Sequence, residues 1–281
     1  MIQNMTWLSI SLFSNQPNWH KLLSQGIKSF IESQKKIHNY TIEFNYLSGE
    51  NIRLSLMVKE AEAPFVVKEA DSYFKHFFSK SNFSVKEVKL PVEGVFMPFP
   101  VNIIQYGLYK TQESGNNETG YNIATDLSKI VTAALTDDTD DETIITLAFY
   151  LQMGLIRAIH NYTSNIDELL STINQVTPVS NANTGDDSIS DDSLMDEITI
   201  DVMQTEDFDS ELNWLTTWIK LGEEGLRNLN STNADKNLSI KNFYNTRINE
   251  INRCLGLNTQ RRNLLRDLIK VSLKRYFILN K

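Results

Sequence analysis

The sequence has few of the residues that support cysteine, metal or cofactor chemistry. Its 281 residues include one cysteine, Cys254, so an internal disulfide and a cysteine-based metal site are both excluded. The four histidines show neither the HxxxH nor the HxH spacing that is typical of metal ligands. A Walker-type phosphate loop and a Gly-x-Gly-x-x-Gly fingerprint are also absent. We therefore predict a protein without a metal or another cofactor.

Long apolar runs and a secretory signal are missing as well. No Lys or Arg precedes the apolar residues at the N-terminus, and the most apolar later run, Ile144 to Ile156, is 13 residues long and contains Thr and Gln. A membrane-spanning helix needs about 20 apolar residues. Together with the single cysteine, this predicts a cytoplasmic protein with no membrane span. The sequence leaves open whether the chain forms a homo-oligomer.

The charges are strongly segregated along the chain, whose formal net charge is −8. Eleven acids and no base occupy residues 186–211, whereas residues 241–281 hold ten Lys and Arg against Glu250 and Asp267. Two interpretations follow. The two segments pair with each other, or the basic segment receives an acidic peptide or an RNA.

The clearest local pattern is a β-hairpin between Thr41 and Val58. Two period-2 runs flank a turn at residues 48–50, and each run has a row of apolar side chains on one face. Arg53 lies on the opposite face of the hairpin, together with Glu43. Its guanidinium can either pair with Glu43 across the strands or bind a carboxylate or phosphate of a ligand.

The rest of the chain predicts an α+β fold, with an N-terminal mixed β-sheet region and packed helices followed by a mainly helical C-terminal half. Strands are expected at 6–13, 83–90 and near 101–110, and helices from Trp19, after Pro64, and at 119–135, 141–161, 212–229, 240–255 and 259–277. We assign 1–179 to the sheet and first helices, 180–209 to an acidic, exposed or disordered insertion, and 210–281 to the helical remainder of the same domain.

Four segments resemble, in the right order, motifs of the thiopeptide-type bacteriocin biosynthesis proteins, which correspond to the elimination domain of class I lanthipeptide dehydratases. The segments are Trp7 in the opening strand, FNYLSGENIRLSLMV at 44–58, IIQYGLYK with NETGYNIATDLSKIVTAAL at 103–135, and INEINRCLG at 248–256. The resemblance spans nearly the whole chain. It implies the fold of that domain in its stand-alone form.

The resemblance also implies a reaction on a ribosomally made precursor peptide. In the family, a glutamylated Ser or Thr loses glutamate by β-elimination, which leaves dehydroalanine or dehydrobutyrine. This chemistry needs a base for the α-proton and cationic groups for the enolate and the departing carboxylate. Some relatives instead perform a cycloaddition that closes the pyridine ring of thiopeptides.

Several motif positions differ from the family pattern. Arg53, Asn252 and Arg253 match it. The substituted positions are Asn51 and Ser55, which replace a His and an Arg, Asn102 and Gln105, which replace an acid and an Arg, and Ile248 or Asn249, which replaces the closing His. Because positioned acids and bases typically contribute about 10²–10⁴-fold to a rate, these substitutions weaken the case for the family's usual elimination.

We predict a candidate site of seven residues. Arg53 and Arg253 are the expected catalytic cations, and the residues expected to bind are Gln105, Tyr106, Asn252, Asn51 and Ser55. For Asn252 and Arg253, a structural role that ties the last helices to the sheet is the alternative. No residue is assigned as the base.

Three functional hypotheses follow from the resemblance. The preferred one is a binding protein, without the family's catalysis, for the modified precursor peptide or for a separate glutamylating dehydratase subunit. The others are an active lyase that eliminates glutamate and a thiopeptide-type cyclase.

Overall fold

The computed structural model describes residues 4–46, 48–81, 83, 99–108, 118–163, 192–205, 208–210, 212–229 and 236–279. These residues form two compact units. The first contains Met1–Asp140 together with Arg253–Gly256, and the second contains Asp141–Asn252 together with Leu257–Lys281. We call them the sheet unit and the helical unit.

The sheet unit is built on four antiparallel strands in the order β2-β3-β1-β4. They are β1 (Met5–Phe13), β2 (Asn39–Asn45), β3 (Asn51–Lys59) and β4 (Ile103–Tyr106). The predicted hairpin at 41–58 is therefore confirmed as β2 and β3. Its turn contains Ser48 and Gly49 with positive φ values of 61° and 118°. This conformation explains why a Gly occurs there.

One face of the sheet is apolar because its side chains alternate along every strand. Ile10, Ile42 and Leu54 lie side by side on this face and are almost completely buried. Leu12, Phe44 and Ile52 form a second row beside the first on the same face. This face supplies a large part of the core of the sheet unit.

Three helical segments complete the sheet unit. Residues 19–33 comprise α1 (Trp19–Lys21), a π-helical stretch (Leu22–Lys28) and α2 (Ser29–Ser33). The next two helices are α3 (Ala63–Lys80) and α4 (Glu118–Ala134). Phe30 packs against Phe74 of α3 with ring centroids 5.1 Å apart. The buried stripe of α3 repeats every four residues, as the sequence pattern predicts.

The outer edge of β2 is covered by side chains rather than by another strand. The backbone N–H of Ile42 donates to Ser128 Oγ of α4 at 3.1 Å, and Cys254 Sγ donates to the carbonyl of Ile42 at 3.3 Å. These contacts satisfy backbone groups that an edge strand would leave open. The single cysteine therefore has a structural position against the sheet.

The helical unit contains five described helices. They are α5 (Asp141–Thr163), α6 (Asp192–Gln204), α7 (Asn213–Leu229), α8 (Lys236–Cys254) and α9 (Thr259–Leu279). Small residues let α5 and α7 approach closely, since a Cβ on Gly222 would lie 2.9 Å from the Cβ of Ala158. Trp218 Nε1 donates to the carbonyl of Leu151 across the same contact at 2.8 Å.

Helix α5 is the most apolar helix of the part of the chain that the structure describes. It is long and apolar enough to cross a membrane by length and composition, but 72% of its apolar window is buried inside the protein. Asp141 and Glu142 lie in the first turn of this helix, where negative charges are stabilised by the positive end of the helix dipole. It is the central helix of its unit, as its apolar character on several faces predicts.

Helix α6 differs from the prediction of an exposed or disordered segment at 180–209. Met195, Ile198 and Val202 recur at helical spacing and are buried. The acidic and hydroxyl residues between them obscured this stripe in the sequence. Arg275 of α9 pairs with Asp196 of α6 at 2.9 Å, so at this point the acidic and basic segments do pair with each other.

The predicted α+β fold class is confirmed. The predicted strand at 83–90 lies outside the described residues apart from Phe83, as do residues 180–191 of the predicted insertion.

Candidate functional site

The face of the sheet opposite the core carries a polar row that crosses all four strands. Glu43 of β2 is opposite Arg53 of β3, Arg53 is opposite Ser11 of β1, and Ser11 is opposite Gln105 of β4. Ser55 lies on the same face, two residues from Arg53. We call these five residues the polar face of the sheet. Three of the predicted site residues, Arg53, Ser55 and Gln105, are therefore brought onto one surface.

Arg253 joins this surface from the far end of the sequence. Its Nη1 lies 3.6 Å from Glu43 Oε1, while Nη1 of Arg53 lies 3.9 Å from Glu43 Oε2. The carboxylate is thus placed between two guanidiniums, which we call the arginine cluster (Glu43, Arg53 and Arg253). The predicted pair of cations lies together, and the predicted alternative of a pair between Arg53 and Glu43 is present as well.

The arginine cluster is only partly shielded from solvent. The side chain of Arg53 is 19% exposed, that of Glu43 is 32% exposed and that of Arg253 is 34% exposed. Both ion-pair distances exceed the 2.7–2.9 Å of a charge-assisted hydrogen bond. Two guanidiniums and one carboxylate leave one net positive charge.

Among the buried polar atoms beside Glu43 and Arg53 are two for which no hydrogen-bond partner lies among the residues that the structure describes. They are Nε of Arg253 and Oγ of Ser11, which is completely buried in the centre of the polar row. Buried donors of this kind are normally satisfied. A bound carboxylate or peptide carbonyl would satisfy them.

The end of α8 reaches the sheet because of Gly256. Gly256 has a φ of +64°, and a Cβ there would lie 3.2 Å from Phe44 and Trp19. Its carbonyl accepts a hydrogen bond from Tyr46 at 3.2 Å. Together with the hydrogen bond from Cys254 to Ile42, these contacts hold residues 254–256 against β2, next to Arg253.

The other predicted site residues do not all lie at the cluster. Tyr106 is opposite Ile10 and so projects from the apolar face of the sheet, where burial raises the pKa of its hydroxyl. Asn51 is buried and donates from Nδ2 to the carbonyl of Gly49 at 2.7 Å, which stabilises the hairpin turn. The expectation that both residues bind ligand stays a prediction.

Asn252 belongs to the helical unit. Its side chain is buried, and its carbonyl accepts the N–H of Leu257 at 2.9 Å at the end of α8. Its Oδ1 has no hydrogen-bond partner within the described ranges. Both the binding role and the structural role proposed for Asn252 stay predictions.

The basic residues of α9 are engaged within the helical unit. Arg261 pairs with Asp141, Arg262 Nε donates to the carbonyl of Leu257 at 2.7 Å, and Arg266 Nε lies 3.5 Å from Asp267. These guanidiniums therefore contribute to the helix ends and to helix contacts.

Sequence reasoning missed Ser11 and did not assign Glu43 a functional role. Period-2 alternation places Ser11 on the polar face of β1, but the sequence does not reveal that β1 lies between β3 and β4. The hairpin register does place Glu43 opposite Arg53. Arg253 and Glu43 are 210 residues apart in the sequence, and nothing in a single sequence predicts that they lie close together.

Comparisons with known proteins agree with this fold. No protein-family model and no curated protein matches the sequence. Among solved structures, the chain is similar to TbtD, a pyridine synthase from thiomuracin biosynthesis, with 13% identity, 95% of this chain and 97% of that chain covered, and a TM-score of 0.64. It is also similar to MibB, a tRNA-dependent lantibiotic dehydratase from Microbispora sp. 107891, with 8% identity and a TM-score of 0.62.

The alignment with MibB covers 100% of this chain and 29% of the dehydratase. A third structure, TsrL, has 12% identity and a TM-score of 0.56, with 98% of this chain and 96% of that chain covered. At these identities the likeness establishes the fold. It confirms the fold that the sequence resemblance implies.

Proposed function

We propose that this protein acts in the biosynthesis of a lanthipeptide- or thiopeptide-type ribosomal peptide and binds the modified precursor peptide on the polar face of its sheet. The fold shared with a pyridine synthase and a lantibiotic dehydratase supports the pathway. The observation that carries the site is the convergence of Arg53 and Arg253 on Glu43.

The chemistry of the cluster suits a carboxylate on the peptide. Guanidiniums present parallel N–H donors that match a carboxylate, and charged hydrogen bonds of this kind contribute about 1.5–3 kcal/mol each. A glutamyl group on Ser or Thr carries such a carboxylate. Gln105, further along the row, offers an amide for the peptide backbone.

A binding assay with a model peptide tests this function. In the probe, a glutamyl group is attached by an amide to 2,3-diaminopropionate in place of Ser, so that it cannot be eliminated readily. We expect the purified protein to bind the probe, and Arg53→Ala to weaken binding about 10- to 100-fold. Arg227→Ala, in an exposed pair with Glu223 on α7, is the control. Equal binding by wild type and Arg53→Ala would remove the cluster from the proposal.

The same assay format separates binding from catalysis. If the protein is a lyase, an ester-linked glutamyl-Ser peptide loses glutamate in its presence, and mass spectrometry detects the dehydroalanine product. If it binds without catalysis, the ester stays intact over the uncatalysed background. The substitutions at Asn102 and Gln105 favour the second result.

One observation favours a cyclase as the second candidate. The chain matches the pyridine synthase TbtD over 97% of that chain, whereas it matches 29% of the dehydratase. A cyclase would convert a peptide that is already dehydrated. Ring formation, seen as a new absorbance and a change in fragmentation, would establish it, and an unchanged peptide would exclude it for that substrate.

The partners and location remain part of the proposal. The precursor peptide is the main partner, and a separate glutamylating dehydratase subunit is a second one. A cytoplasmic location and a homo-oligomeric state are predictions that fractionation and light scattering would test. Because exposed charge contacts are screened by salt, co-purification with a glutamylating subunit through charged residues should weaken as ionic strength rises.

A further inference from the structure

Helix α9 is apolar on two faces. Its inner face packs into the helical unit through buried residues that recur every four positions, Leu265, Ile269, Leu273 and Phe277. A second apolar row lies on its outer face and consists of Leu264, Val271 and Ile278, which are 52%, 40% and 62% exposed. We call these three residues the outer stripe. A helix whose only partner is the core of its own chain typically carries polar residues on that face.

The outer stripe has the spacing of a helix-packing surface. Its members are seven residues apart, which is close to two helical turns, so they stay on one side of α9 and span about 21 Å along its axis. Single exposed apolar residues are common on protein surfaces and need no explanation. A row at heptad spacing is the pattern by which one helix packs along another. The outer stripe therefore indicates an interface with a further helix.

Two charged residues beside the stripe indicate which helix fits. Asp267 and Lys274 lie three positions after Leu264 and Val271, so both lie on the same side of the stripe. The side chain of Asp267 is 65% exposed, and Lys274 is exposed as well. The two charges are about 10 Å apart along the helix, which is too far for them to pair with each other. The surface thus presents one charge of each sign to a partner.

We propose that the outer stripe is an interface between two copies of this chain, which pair through α9 in antiparallel orientation about a two-fold axis at Val271. Reversing the helix about Val271 places Leu264 opposite Ile278 of the second copy. The same reversal places Asp267 opposite Lys274 of the second copy, to within half a residue. Apolar residues then meet apolar residues, and each charge meets its opposite.

The charge pattern distinguishes this arrangement from a parallel one. In a parallel pair, the two-fold axis runs along the helices, and the charged rows of the two copies lie on opposite sides of the seam. Asp267 and Lys274 could not pair there. The antiparallel arrangement instead forms two symmetry-related ion pairs. Because such a contact uses the same surface on both copies, it closes at two, and no larger assembly follows from it. The interface is independent of the peptide-binding role proposed for the polar face.

Sedimentation velocity over a range of protein concentrations measures this association. The stripe is one helix wide, so we expect a dimer with a dissociation constant on the order of micromolar. Val271→Asp places two carboxylates at the two-fold axis and should raise that constant about 100-fold. Leu238→Asp is the matched control, since Leu238 is a 55% exposed leucine on α8 of the same unit. It should dimerise like wild type.

Charge exchange tests the antiparallel register. Asp267→Lys and Lys274→Glu each turn two attractions into two repulsions, so each variant alone should dimerise about tenfold more weakly than wild type. The variant with both substitutions restores opposite charges at both contacts and should dimerise like wild type. A mixture of the two single variants should form a heterodimer for the same reason. Thermal unfolding of every variant checks that it is folded.

Each outcome decides the inference. A wild-type protein that stays monomeric at every soluble concentration would overturn it, and so would an assembly larger than a dimer. A dimer that Val271→Asp leaves intact would show that another surface is used. If Val271→Asp abolishes the dimer and the double charge variant stays as weak as the single ones, the antiparallel arrangement about Val271 is wrong.

Discussion

The arginine cluster of the sheet unit is built differently from two charged pairs of the helical unit. In the helical unit, one guanidinium lies within hydrogen-bond distance of one carboxylate, at 2.7 Å for Arg247 and Glu250 and at 2.9 Å for Arg275 and Asp196. In the sheet unit, the single carboxylate of Glu43 lies between two guanidiniums at 3.6 Å and 3.9 Å.

This difference bears on how much each charged group contributes to the stability of the fold. A close pair has little remaining attraction for another charged group, and removing one member leaves the other charge without that partner inside the protein. A partly exposed cluster with long ion-pair distances contributes little to stability, because partly exposed pairs are weak.

The largest effect on stability is expected for Arg247→Ala. The side chains of Arg247 and Glu250 are 9% and 13% exposed, so the variant would leave a nearly buried carboxylate beside the lost partner. We expect a loss of about 3 kcal/mol in the free energy of unfolding, measured with urea. Arg227→Ala, whose pair with Glu223 is exposed, should cost about 0.5 kcal/mol or less. Similar losses in the two variants would contradict the structural role of the buried pair.

A smaller and different effect is expected for Arg253→Ala. Its side chain is 34% exposed, so the free energy of unfolding should change by less than about 1 kcal/mol. Binding of the amide-linked glutamyl probe should weaken about tenfold, since one of the two guanidiniums is lost. If stability fell by several kcal/mol while binding was unchanged, Arg253 would be a structural residue like Arg247.

The smallest effect is expected for Tyr106→Phe. Tyr106 projects from the apolar face, so binding of the glutamyl probe at neutral pH should equal that of wild type. Weaker binding would show that the side chain reaches the ligand.

Tyr106→Phe should also change how the stability of the protein depends on pH in the alkaline range. Burial raises the pKa of Tyr106 above its ordinary value of 10.0, with the charge of Asp71 as a second cause. The unfolded chain therefore ionises first, and the contribution of Tyr106 is present below pH 10 and is lost as the pH rises above it. Unfolding measured from pH 8 to 11 should show a smaller alkaline loss of stability in Tyr106→Phe than in wild type.

Much of the sheet unit could be predicted from the sequence because its signals are local. The hairpin has alternating apolar residues and a Gly-containing turn, and the helix after Pro64 has a regular buried stripe. Helix α6 could not be predicted from the sequence, because its three main buried residues are separated by acidic and hydroxyl residues. A short stripe within a strongly acidic segment resembles a solvated loop in sequence.

Only those residues of the candidate site whose placement follows from alternation within their own strand could be predicted from the sequence. Arg53, Ser55 and Gln105 follow from motif and alternation, and the structure places them on one face. Tyr106 is adjacent to Gln105 in sequence but lies on the other face, since neighbouring residues of a strand point in opposite directions. The position of Arg253 depends on the end of α8 reaching β2, and such long-range contacts leave no pattern in a single chain.

The most direct measurement is an NMR titration of the arginine Nε–H signals with the amide-linked glutamyl probe, in protein labelled with ¹⁵N. The account predicts that the signals of Arg53 and Arg253 shift together with one dissociation constant, while that of Arg227 stays in place. Probe binding that leaves the signals of Arg53 and Arg253 unchanged would contradict a binding site on the polar face of the sheet.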